Sequence, residues 1–282
     1  MTEFLPLREA VAKHVADGAC LALEGFTHLI PFAAGHELIR QGRNGLHLVR
    51  MTPDLVYDQL IGAGCARKLT FSWGGNPGVG SLHRLRDAVE NGWPRPLEID
   101  EHSHAAMAAG YRAGAARLPF GMLRGYIGTD LPAKNPRIRH VTCPYTGEQI
   151  ATVPAVNPDV TILHAQRADR RGNVAIDGIV GAAREAGLAA KKLLVTVEKI
   201  VDEFPPAMNN VIIPGFTVTA ISQVPGGAWP SYAHGDYARD NDFYLKWDAI
   251  ARERGSFTAW MDRHVLGTRD HREFLASLRE AA

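Results

Sequence analysis

Three stretches of the 282-residue chain place polar or glycine residues where an α/β protein holds ligands. In Ala19–Pro31 (ACLALEGFTHLIP) an apolar run breaks at Glu24-Gly25-Phe26-Thr27. Gly25 admits backbone conformations and close approaches that a side chain forbids. A strand, a glycine turn and a following helix bring backbone N–H groups together past the strand's carboxyl end, where such sheets bind. An ordinary βα turn without a ligand has the same pattern. The second stretch, Gly74–Gly80 (GGNPGVG), follows the run Lys68–Trp73. Its glycine spacing is not that of a dinucleotide fingerprint, and no P-loop GKS or GKT occurs. Gly75 is a place where a ligand can approach the backbone, and the Asn76 amide can donate to a carbonyl or carboxylate, unless Asn-Pro merely starts a turn.

The third stretch is Asp100-Glu101-His102-Ser103-His104, at a strand end and helix start. Glu101, His102 and Ser103 suit acid–base or substrate-orienting work, and Ser103 equally suits an N-cap. His102 and His104 lack a third histidine at ligand spacing, so no metal is expected. No serine sits in a G-x-S-x-G elbow and none is followed by lysine three residues later. Glu90-Asn91-Gly92 reads as a helix end. His164 reads as a core histidine or one supporting a site, and Pro225–Ala228 as a further turn beside it. Polar turns without a nucleophile of their own describe half of an active site.

Strands are expected at 19–23, 46–51, 68–73, 97–100, 159–165, 192–197, 210–213 and 218–224. Helices are expected at 7–16, 32–41, 54–61, 82–90, 103–116, 179–190, 239–253, 257–265 and 270–281. The helix from Ser103 is rich in alanine and glycine and so suited to close packing. Pro132–Thr152 has little period and reads as an excursion or flap. Successive βα units predict an open, mainly parallel sheet with flanking helices and a helical C-terminal tail. With no repeat or linker, residues 1–282 read as a single domain.

Composition excludes several classes. The 31 basic and 30 acidic residues leave a net charge of +1, with no footprint for nucleic acid or an anionic membrane. Apolar residues make up 46% and charged residues 22%, as in ordinary globular proteins. No apolar run approaches the roughly 18 residues of a membrane span. Cys20, Cys65 and Cys143 are far apart, which argues against disulfides or a zinc ribbon and for core positions in a reducing, cytoplasmic compartment.

Several segments together resemble the A (alpha) subunits of the family I CoA-transferases along nearly the whole chain. They are LREAVAKHVADG, ALEGFT, HELIRQG, SWGGNPGVG, LPF, HAQRADRRGNV, VTVEKIVD and VPGGAWPSYAHGDYARDNDFY. Within that family the stretches ALEGFTHLIPFAAGHELIRQG and VRMTPDLVYDQLIGAGCARKLTFSWGGNPGVGSLHRLRDAVE are most similar to the 3-oxoadipate CoA-transferases, and next to the glutaconate CoA-transferases.

The resemblance implies the CoA-transferase fold and a homologous B subunit in an A₂B₂ or higher assembly. It implies transfer of CoA from succinyl-CoA to 3-oxoadipate in aromatic-compound degradation, with CoA thioesters as substrates and no permanently bound cofactor. The nucleophilic glutamate would lie in the B subunit. Gly25, Phe26 and Thr27 match the family's site-facing turn, Asn76 the second turn, and Ser103 the acyl-pocket donor. Glu101 aligns with the base of a related ring-opening CoA-thioester hydrolase, the alternative activity. Glu24 replaces a usual glycine, Ile30 stands where a glycine is common, and Trp229 stands where relatives often have histidine, as a pocket wall. Dicarboxylate substrates call for cationic or amide groups, with Arg40, Arg50, Arg112 or the partner as sources.

Overall fold

The computed structural model of the chain describes residues 1–76, 79–205 and 212–279. Apolar runs bounded by turn residues become strands, and amphipathic runs become the helices that cover them. The first half holds β1 (Glu3–Phe4), α1 (Leu7–His14), β2 (Cys20–Glu24), α2 (Phe32–Arg40), β3 (Leu46–Val49), α3 (Leu55–Gly62), β4 (Ala66–Phe71), α4 (His83–Glu90), β5 (Glu98–Glu101) and α5 (His104–Ala115). The middle holds β6 (Phe120–Leu123), α6 (Leu131–Lys134), β7 (Arg139–Thr142), β8 (Gln149–Pro154), β9 (Val160–Asp169) and β10 (Val174–Ala175). The last part holds α7 (Ala183–Ala189), β11 (Lys192–Val201), β12 (Ala220–Gln223), α8 (Asn241–Arg252), α9 (Arg254–Trp260) and α10 (His271–Arg279).

The main sheet runs β1-β12-β11-β9-β2-β3-β4-β5, every neighbouring pair parallel, with β10 antiparallel to β9. From β2 the chain steps outward through α2, α3 and α4 to β5; from β9 it steps the other way through α7 to β11. Strand order therefore reverses between β2 and β9, and the crevice beyond the carboxyl ends of that pair is where open α/β sheets bind ligands. Both central strands are buried on both faces, which is why they read as continuous apolar runs. Leu21 and Leu23 of β2 face the layer of α1 to α3, and Ala22 packs with Tyr111 of α5 and Ala186 of α7.

The small residues of α5 do what their spacing predicts. A Cβ on Gly114 would stand 2.1 Å from the Val156 carbonyl oxygen, and one on Gly110 would stand 2.9 Å from the Val156 side chain. The segment leading into β9 thus lies directly on the helix. The closing helices are not a loose tail. Phe243 and Trp247 of α8, Phe257 of α9 and Phe274 of α10 join the core cluster that contains Leu21 and Leu38. Trp247 and Trp260 meet edge to face at 5.0 Å.

Three expectations need correction. Pro132–Thr152 is not irregular: β6, β8 and β7 form a separate antiparallel sheet, with β7 exposed along its length. Exposure on one side is why its period was weak. Of the strand expected at 210–213, residues 210 and 211 lie outside the described residues; Ile213 makes one isolated bridge to Val174. Cys143 is not a core residue. It lies half-exposed at the β7–β8 turn, where the Thr146 hydroxyl and the backbone N–H groups of Tyr145 and Thr146 draw its thiol below the ordinary cysteine value.

Candidate active site

The turn after β2 is strained and held from outside. Thr27 has φ +62° and Leu29 φ +53°, a left-handed conformation that costs a non-glycine residue about 1–3 kcal/mol and is most adverse for a β-branched one. Surrounding contacts impose it. The Leu29 N–H donates to the Tyr232 carbonyl at 2.9 Å, and the Ile30 N–H to the Ser231 hydroxyl at 3.3 Å. His28 stacks on Tyr232 at 4.9 Å and bonds through Nε2 to the Ile179 carbonyl at 2.6 Å. Gly25 is required because a Cβ there would meet the Leu29 and His28 carbonyl oxygens at 2.6 and 2.8 Å.

Beyond this turn lies a cavity of about 290 Å³, lined by Phe26, Thr27, Ile30, Arg50, Thr52, Asp54, Trp73, Gly75, His104, Arg239 and Tyr244. The two glycine turns, from the ends of β2 and β4, therefore wall one space. Its floor is charged but locked. Arg50 is 1% exposed; its guanidinium donates to both Asp54 oxygens at 3.3 and 3.1 Å and to the Gly25 carbonyl at 2.7 Å. Asp54 also caps α3 by accepting from the Val56 N–H. Below it, Glu24 accepts from the Tyr111 hydroxyl at 2.7 Å and the Met51 N–H at 3.1 Å. Burial pushes the Glu24 carboxyl up, against the pull of Arg50 and these hydrogen bonds. The glutamate in place of the usual glycine thus ties the end of β2 to β3 and α5.

The other expected residues sit apart from this cavity. Asn76 is buried one residue beyond the wall, its Oδ1 without a hydrogen-bond partner among the described residues. His102 pairs through Nε2 with Asp100 at 3.0 Å, and Ser103 accepts from the Ala106 N–H as the N-cap of α5. Glu101 is exposed on edge strand β5, in a shallow depression with Lys68, Lys134 and Arg137. His104, weighed only as half of a metal pair, is the member of this cluster that reaches the cavity. Among the described residues no three His, Cys, Asp or Glu side chains form a group able to hold a metal. Trp229 walls a different groove, packed on Phe243 at 4.6 Å. Arg40 is spent on the Val265 carbonyl, Thr268 and Glu37.

Sequence reasoning missed Arg239 and Tyr244. Both lie in the quoted segment VPGGAWPSYAHGDYARDNDFY, some 200 positions after Gly25, and no local pattern relates the two.

A buried network closes the neighbouring strand ends. His164 at β9 bonds to the Thr196 hydroxyl (2.8 Å) and to Glu198 (2.7 Å), which also accepts from the Tyr237 hydroxyl and the Gly226 N–H, both at 2.7 Å. Burial opposes ionisation of Glu198, but these hydrogen bonds and the His164 ring hold its carboxyl below the ordinary value. A depressed folded-state value contributes stability that is present above the unfolded value and lost as pH falls through the folded one. Glu198→Gln is expected to lose about 1–3 kcal/mol near pH 7, with the gap to the wild type narrowing below about pH 4. Urea melts at both pH values check it; a gap independent of pH would contradict the assignment.

Comparison with known proteins agrees with this geometry. Residues 5–223 match the family model described as Coenzyme A transferase. The chain is 64% identical over 280 residues, 99% of each sequence, to the A subunit of 3-oxoadipate CoA-transferase from Pseudomonas knackmussii. It superposes on the crystal structure of glutaconate coenzyme A-transferase from Acidaminococcus fermentans with a TM-score of 0.91, at 30% identity, covering 98% of this chain and 93% of that one. The decarboxylase AibA/AibB follows, at TM-score 0.80 and 31% identity, covering 93% of this chain and 99% of that one.

Proposed function

The chain belongs to the coenzyme A transferase family, and from that premise we propose that it is the A subunit of a heteromeric enzyme moving CoA from succinyl-CoA to 3-oxoadipate. The observation that carries the reading is its 64% identity, end to end, with the A subunit of a 3-oxoadipate CoA-transferase. That relative is named as one of two kinds of subunit, which implies a B partner. No group in the cavity of this chain is an evident nucleophile. Arg50 and Asp54 are paired with each other, and the remaining walls are aromatic, aliphatic, hydroxyl, glycine, histidine and arginine.

In this reading the partner supplies a glutamate. Its carboxylate attacks the thioester carbonyl of succinyl-CoA, the CoA thiolate leaves, and an acyl–glutamyl anhydride remains. The thiolate returns to the glutamyl carbonyl and succinate departs, leaving a glutamyl-CoA thioester. The 3-oxoadipate carboxylate then repeats the two exchanges in reverse. This chain contributes the shaped space: Phe26, Ile30 and Trp73 offer apolar walls for the acyl methylenes, and the Thr27 turn and Gly75 bring backbone close to the reacting end. Holding reactants in attack geometry is itself a large part of such catalysis. The free cysteines and the balanced charge are consistent with a reducing cytoplasm, and among the described residues no helix is long and apolar enough to cross a membrane.

The test is reconstitution. The purified A and B polypeptides together should convert succinyl-CoA and 3-oxoadipate to 3-oxoadipyl-CoA and succinate, while each alone should not. Failure of the mixture to form the product, or full activity of this polypeptide by itself, would reject the proposal. Ring-opening hydrolysis with Glu101 as base is less well supported, because Glu101 opens into a separate depression.

A further inference from the structure

The cavity contains two guanidinium groups in opposite electrostatic circumstances. Arg50 is almost wholly buried and its charge is answered by Asp54. Arg239, on the facing side, forms no ion pair with any carboxylate among the described residues. Its guanidinium carbon lies 4.1 Å from the centre of the Tyr244 ring, a stacked cation–π arrangement that fixes a planar fork against the wall. Tyr244 is itself 1% exposed, anchored in α8. Asp54 lies in the same cavity, but both its oxygens are taken by Arg50. The remaining walls near the fork, Phe26, Ile30 and Trp73, carry no charge.

We propose that Arg239 is the specificity-determining residue of this cavity, binding the carboxylate remote from the reacting one and so selecting dicarboxylic acids over monocarboxylic acids. The inference rests on the CoA-transferase reading and adds to it the side chain that chooses the acyl group. Three observations support it. An unpaired, oriented guanidinium in a partly dry space is a site for one carboxylate, which it grips through two parallel N–H donors. In a dicarboxylic acid one carboxylate becomes the acyl carbon of the thioester, while the other stays anionic and must enter the cavity with its charge. The volume, about 290 Å³, lies at the small end of ligand pockets and fits a short acyl chain rather than the nucleotide of CoA. The apolar walls between the Thr27 turn and Arg239 are matched to the methylenes joining the two carboxylates.

The experiment uses the co-purified complex of the two polypeptides with succinyl-CoA as donor. In a double-displacement reaction kcat/KM for the acceptor reports only the half-reaction in which that acid is used, so varying the acid isolates Arg239. The acceptors are 3-oxoadipate and its monocarboxylic counterpart 3-oxohexanoate. Arg239→Met is expected to lower kcat/KM for 3-oxoadipate by about 10- to 100-fold, the worth of one charge-assisted pair. It should leave 3-oxohexanoate within about 2-fold. Arg239→Lys should recover part of the loss. Equal losses for both acids, or no loss for 3-oxoadipate, would overturn the proposal. If the wild-type complex transfers no CoA to 3-oxoadipate, it is the functional reading that fails. Calorimetric titration with glutarate and butyrate then decides Arg239 separately: preference for glutarate lost in Arg239→Met supports it, and equal affinity of the wild type for both acids rejects it.

Discussion

Gly25→Ala is expected to lower CoA transfer by the assembled enzyme about 100-fold while the chain still folds. The methyl would sit 2.6 Å from the Leu29 carbonyl oxygen, 2.8 Å from that of His28 and 2.9 Å from the Leu29 carbonyl carbon. All three are backbone atoms, so no side chain can swing away. The turn must shift, and it has little room to do so, because Leu29 and Ile30 are bonded to the Tyr232–Ser231 backbone and hydroxyl, and His28 to Ile179. A Cβ on Gly181 would already meet Phe26 at 2.7 Å from the other side. A displacement of the order of 1 Å at a wall that positions reactants costs about 100-fold in rate. Overpacking of this kind costs about 1–3 kcal/mol in stability, which a chain of this size survives. Steady-state kinetics of the mutant complex beside a thermal melt give the answer. Wild-type kcat/KM in a folded mutant would show that the turn does not shape the site.

Asp54→Ala is expected to be the most destabilising single change in the site, about 3–5 kcal/mol. It leaves the Arg50 guanidinium, 1% exposed, without its counter-charge. It also removes the N-cap of α3, worth about 1 kcal/mol. Burial works against the Arg50 charge, and the carboxylates of Asp54 and Glu24 overrule it. With Asp54 gone only Glu24 remains, and burial has pushed that carboxyl up toward its neutral form. Replacing both partners by apolar residues, as in Arg50→Met with Asp54→Leu, should restore much of the lost stability, since no isolated charge is then buried. Urea unfolding of the two variants tests the argument. A double mutant no more stable than Asp54→Ala would mean that cavity shape, not the orphaned charge, sets the cost.

The parallel sheet was legible because its strands are buried on both faces: LHLV of β3, VTILHA within β9 and KLLVTV within β11 are apolar runs of strand length between turns. The antiparallel sheet of β6, β7 and β8 was not, because a surface sheet with one packed face carries a weaker pattern, interrupted here by Pro132, Pro136 and Pro144. Ser103 shows how one residue fits two readings. Its position at a helix start suits a site donor and an N-cap alike, and its hydroxyl accepts from the Ala106 N–H.

By itself the sequence determined the fold class and the need for a glycine at position 25. Its resemblance to the CoA-transferases supplied the expectation of a second, partner polypeptide. Strand periodicity and turn chemistry are local properties, written in neighbouring residues. Only the tertiary structure decided which side chains share the cavity. Thr27, Trp73 and Arg239 come from distant parts of the chain, and the reversal of strand order between β2 and β9 together with the docking of α8 brings them together. Which arginine is neutralised and which is left to meet a ligand depends on separations of a few ångströms between such residues, and no spacing along the chain encodes them.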